Sequence, residues 1–141
     1  MAGIYSISTI RRKVREYGKK INAPRNLLTV HTISDGFGTP HIEIGEKGYN
    51  YVVSERGKEY NRKHTKDLNK LLYWIFELIV FQMANEYELE NRKPNKDFRR
   101  ILFTKEIELM KRLDLQWARW KKKEIDKVLS EHPYEDDDVK G

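Results

Sequence analysis

Apolar side chains at Ile7, Ile10, Val14, Tyr17 and Ile21 recur at three- and four-residue steps and fall within one narrow stripe. That spacing predicts an amphipathic helix with one buried face. Ser6 or Ser8 can cap its start, and Gly18 with Asn22-Ala23-Pro24 should end it. From Leu27 to Lys63 the pattern changes to short runs rich in Val, Ile, Thr and Tyr. These are punctuated by Asp35-Gly36, Gly38-Thr39-Pro40, Glu46-Lys47-Gly48 and Arg56-Gly57. Strands are expected at about 27–33, 41–45, 49–55 and 58–63. Their short connections favour an antiparallel meander with Tyr49, Tyr51 and Val53 on one face and Val52 on the other.

Beyond Thr65, read as a cap, the period is helical to about Leu89, and the helix is apolar nearly all round. Leu68, Leu71, Leu72, Ile75, Leu78, Ile79 and Met83 cover a wide arc, while Lys70, Glu77, Ala84 and Glu88 line up opposite, flanked by Tyr73 and Phe81. Asn91 to Asn95, with Pro94, breaks the pattern. A third helix follows from about Lys96 to Leu113, and Asp114 caps a fourth that reaches His132 before Pro133. The fold class is α+β: an N-terminal helix, a four-stranded antiparallel meander, then a three-helix C-terminal part around one core. Residues 1–134 read as a single domain and 135–141 as an acidic, solvated tail.

The length of 141 residues suits that reading, since domains run to roughly 100–200 residues. With no Cys, the chain has no disulfide, thiol nucleophile or thiolate-bound metal, and its four scattered His offer no ligand pair at helical spacing. No cofactor is expected. Met1 to Thr9 lacks the pattern of a secretory signal, and the longest apolar segment, Leu71 to Ala84, is interrupted by Glu77 and Gln82. A cytoplasmic protein without a membrane span is expected. The net charge is +6, and Arg11 to Arg25 carries seven basic residues against Glu16, a local excess equal to the total. The C-terminal Glu135, Asp136, Asp137 and Asp138 outweigh Lys140.

Catalytic chemistry is poorly provided for. His31, Asp35 and His41 lie near Ser34 and Ser54 in the strand region, but no nucleophile elbow surrounds either Ser. Asp35-Gly36-Phe37-Gly38 lacks the Lys-Ser/Thr of a phosphate loop and reads as a turn. No enzymatic activity is expected. Two features carry more information. Arg99 and Glu106 fall within an apolar arc of the third helix, where charges need partners, and Glu77, Glu86 and Glu88 are the available carboxylates. Tyr73, Trp74 and Phe81 border Glu77, and an exposed ring beside a carboxylate is a common anchor for a protein partner. Arg119, Lys122, Lys123 and Lys127 share a face of the fourth helix. With the first helix they leave a basic nucleic-acid-binding module as the alternative reading.

The runs Gly48-Tyr49-Asn50-Tyr51-Val52-Val53-Ser54-Glu55-Arg56-Gly57, Leu71-Leu72-Tyr73-Trp74-Ile75-Phe76-Glu77, Asp97-Phe98-Arg99-Arg100-Ile101-Leu102-Phe103 and His132-Pro133-Tyr134 resemble the bacterial immunity protein 63 family over about residues 40 to 134. That resemblance implies an antidote that binds and neutralises the cognate toxin domain of a polymorphic toxin system. Candidate toxin-contacting residues are Tyr49, Tyr51, Arg56, Tyr73, Trp74, Glu77 and Phe81, and candidate members of a structural ion-pair network are Glu77, Glu86, Arg99 and Glu106.

Overall fold

The computed structural model describes residues 3–137. Its elements are α1 (Ile7–Lys20), a 3-10 turn (Arg25–Leu28), β1 (His41–Gly45), β2 (Gly48–Glu55), β3 (Lys58–Thr65), α2 (Leu68–Glu90), α3 (Arg99–Leu113) and α4 (Leu115–Glu131). The chain divides into two compact units, Met1–Phe76 and Glu77–Gly141, so that α2 contributes to both.

In the N-terminal unit Ser6 caps α1, its Oγ accepting from the Thr9 N–H at 3.2 Å. Ile10 and Val14 are wholly buried. Gly18 does not end the helix, as the sequence suggested. It lies where a Cβ would stand 2.6 Å from Leu28 Cδ1, and the chain turns only after Lys20, with Asn22 at φ 53°. The strand expected at 27–33 does not form. Pro24 leads into the 3-10 turn, and Leu28 packs over Gly18. Beyond it the chain touches the sheet through isolated bridges, His31 with His41 and Phe37 with Glu55. A tertiary contact with α1 has overridden β propensity there.

The sheet therefore has three strands, in the order β1-β2-β3, both pairings antiparallel. β2 is central and covered on both faces, since Tyr49 and Tyr51 on one side and Val52 and Ser54 on the other are all buried. Arg56 and Gly57, at φ 51° and 78°, make the two-residue turn into β3, the left-handed pair that matches strand twist. β3 is an edge strand exposed over residues 58–62 and rich in charge, which discourages pairing with another sheet. Asp67, rather than Thr65, caps α2: its Oδ1 accepts from the Asn69 N–H at 2.9 Å, while Thr65 Oγ1 accepts from the Asp67 N–H.

In the C-terminal unit, α3 starts at Arg99, three residues later than expected, with Asp97 Oδ1 accepting its N–H. Asp114 caps α4 through the N–H groups of Gln116 and Trp117. The outward face of α2 differs from expectation here. Ala84 and Glu88 are interior, whereas Leu78, Phe81 and Leu89 meet solvent. A helix apolar nearly all round has no period that selects its buried face. The start of the expected tail is also held: Asp136 accepts from the Asp97 N–H at 2.8 Å and pairs with Arg100. Asp138 and Lys140 lie outside the described residues.

Gly48 has φ +129°, and a Cβ there would stand 2.6 Å from the Thr65 carbonyl oxygen of the neighbouring strand. Backbone strain and this clash act together. Gly48→Ala is expected to destabilise the protein by about 1–3 kcal/mol, read as a lower urea midpoint.

Candidate functional site

The C-terminal unit is organised around a buried ammonium. Lys121, on the same face of α4 as Trp117 and Ile125, is 9% exposed, and its Nζ lies 3.0 Å from both Glu77 Oε2 of α2 and Glu124 Oε2. Burial works against its charge, but the two carboxylates outweigh it and hold its pKa above the ordinary lysine value. Glu106 of α3, 5% exposed, faces the same cation. Burial pushes the Glu106 carboxyl up more strongly than Lys121 draws it down. Nearer the end of α2, Glu88 is interior, and Arg92 one turn later closes over it with two hydrogen bonds of 3.0 and 2.7 Å.

A second cluster ties the C-terminal segment to the start of α3. Arg99 pairs with Asp97 at 2.8 Å and donates to the carbonyls of His132 and Pro133, both at 2.9 Å. Asp97 in turn accepts from the Glu135 N–H. The Arg99 guanidinium holds the Asp97 carboxyl well below the usual carboxylate range. Between these bonds the Tyr134 ring lies 4.3 Å beneath the Arg100 guanidinium and 6.4 Å, centre to centre, from Phe103.

From Phe103 and Tyr134 an open groove of about 870 Å³ runs between α3 and α4. Ile107, Ala118, Ile125 and Leu129 contribute its apolar lining; Lys111, Arg112, Arg119 and Lys122 its cations; Glu108 and Asp126 its acids. Leu115, in the same lining, is 65% exposed. The N-terminal unit has a concavity of its own, about 750 Å³, lined by Arg11, Arg15, Lys19 and Arg25 without a carboxylate. Arg11 is anchored there by the Val30 carbonyl at 2.9 Å.

The contact residues expected from the sequence are scattered. Tyr49 and Tyr73 are fully interior, the former with its hydroxyl accepting from the Tyr5 N–H. Tyr51 is buried against Trp74, and Lys63 lies over both rings. Trp74 is half-buried, Glu77 is engaged by Lys121, and Arg56 and Phe81 are exposed. Of the expected ion-pair members, Glu77 and Glu106 meet around Lys121. Arg99 does not join them: its partner is the local Asp97, because the chain turns there to start α3. Glu86 is exposed and without an ion pair among the described residues. Among the described residues no Ser-His-Asp arrangement is assembled, as Ser54 donates to Ser34, Asp35 accepts from its own turn and His41 faces Glu43. Lys121 went unnoticed in the sequence, although a cation four residues from both Trp117 and Ile125 on an apolar stripe was a legible signal. The docking of Tyr134 had no local pattern to reveal it.

No helix among the described residues is long and apolar enough to cross a membrane. An α+β chain of four helices and a three-stranded sheet, carrying open grooves, is thus the class of protein defined. Residues 45–127, more than half of the chain, match the family described as Immunity protein 63, and the chain belongs to that family. No curated protein and no solved structure matches it.

Removing the cation from the buried cluster takes away a charge partner shared by carboxyl groups of three helices. Lys121→Met is expected to cost about 3 kcal/mol of stability, measured by urea denaturation at neutral pH. Glu106 gives a pH test. Its pKa is higher folded than unfolded, so the stability it contributes is present below the ordinary glutamate value of 4.5 and is lost as pH rises through the folded pKa. The stability difference between Glu106→Gln and the parent should therefore shift in favour of the variant from about pH 4 to about pH 7.

Proposed function

We propose that this protein is the immunity partner of a bacterial polymorphic toxin domain, which it binds in the cytoplasm and neutralises by occlusion, without turnover or cofactor. The observation that carries the reading is the family match over residues 45–127, which takes in β2, β3, α2, α3 and most of α4. Among the contact residues expected from the sequence, Arg56 and Phe81 are the accessible ones. They are the first candidates for contact within the N- and C-terminal units respectively.

Co-expression with the toxin domain encoded beside its gene should restore growth of a sensitive host, and failure to do so would sink the reading. Arg56→Ala and Phe81→Ala, each shown to be folded, are expected to weaken binding by about 10-fold or more where the residue is a contact anchor. The acid-free concavity of Arg11, Arg15, Lys19 and Arg25 lies outside the matched residues and favours a second reading, binding of nucleic acid. Salt separates the two. Phosphate contacts weaken steeply between about 50 and 200 mM salt, whereas a packed protein interface weakens far less.

A further inference from the structure

The groove between α3 and α4 has two ends of different character. At one end the chain fills it with its own residues: the Tyr134 ring is set against Phe103 and Arg100, and Asp136, two residues on, bonds the same Arg100 at 2.9 Å. That segment combines a ring for the apolar lining with a carboxylate for the guanidinium. Towards the other end, about 12 Å along α3 from Phe103 to Lys111 at 1.5 Å per residue, the same combination of surfaces is present and open. Leu115 is 65% exposed at the helix junction, with Lys111 four residues before it and Arg119 four residues after. The other two cations of the lining are already engaged, Arg112 by Glu108 at 3.1 Å and Lys122 by Asp126 at 2.9 Å. Lys111 and Arg119 have no carboxylate partner among the described residues. An apolar groove with a surplus cation on each helix is complementary to an apolar segment that also carries carboxylates, and not to a basic or a wholly polar one.

We infer that the open end of this groove, at Lys111, Leu115 and Arg119, receives a segment of the toxin domain in which an aromatic or aliphatic side chain is followed within a turn by carboxylates. The inference rests on the immunity reading and names the surface and the chemistry of the partner. The open end of the groove, at Lys111, Leu115 and Arg119, falls within the matched residues 45–127, unlike the basic concavity of α1. Association would be steered by the cations, and the residence time set by burial of Leu115.

The test is titration of the catalytically inactivated toxin domain encoded beside the gene against the parent, Leu115→Glu, and the pair Lys111→Glu with Arg119→Glu. A second pair, Lys123→Glu with Lys127→Glu, changes net charge equally on exposed residues of α4 outside the groove. Thermal unfolding establishes that each variant is folded. Leu115→Glu and the groove pair should each weaken binding at least 30-fold, while the second pair stays within threefold of the parent. If the parent binds and the groove variants bind as it does, the groove assignment falls and the immunity reading stands. Equal losses from both charge pairs, or sedimentation showing a dimer that Leu115→Glu dissolves, would also overturn the assignment, in favour of diffuse attraction or of a second copy as occupant. A parent that does not bind the toxin domain removes the immunity reading, and this inference with it.

Discussion

The ammonium of Lys121 is the point on which the C-terminal unit turns. Carboxyl groups from α2, α3 and α4 converge on it: Glu77 and Glu124 pair with it, and the faintly exposed Glu106 faces it. A buried charge set of this kind contributes little net stability relative to apolar packing, but it is costly to misplace. It therefore constrains the rotation of α2: any turn of that helix that exposed Ala84 would pull Glu77 away from its partner. The grooved surface between α3 and α4 depends on that constraint, because the same α4 that buries Lys121 turns Arg119 and Lys122 outward.

Much of the element order was legible in the sequence, and the reasons are local. Gly and Pro punctuation set the limits of β1, β2 and β3 to within two residues, and Asp114 announced the start of α4. What failed was decided by tertiary contact. Residues 27–33 have the composition of a strand, yet Leu28 is drawn onto Gly18 and the segment coils. The face of α2 was unreadable because a nearly uniform apolar helix leaves the choice to its neighbours.

The candidate site was less legible than the fold. Aromatic residues clustered in sequence around Glu77 suggested a binding surface, but Tyr49 and Tyr73 have the interior positions that large rings favour. Arg99 was marked for a partner on the central helix, whereas its partner is Asp97, two residues away. The groove emerges only when α3 and α4 lie side by side, so its cations read in sequence as an ordinary solvated face.

The contacts of Asp97 and Arg99 with residues 132–135 span more than thirty positions of chain. Together with the short α3–α4 junction they turn an open helical hairpin into a closed ring. Fraying of the last turn of α4 is then no longer an independent event, since it disturbs the bonds from Arg99, at the head of α3, to the His132 and Pro133 carbonyls. Noncovalent closure of this length restricts the unpaired chain much as a cross-link would, so the two ends of the hairpin rise and fall in order as one cooperative element.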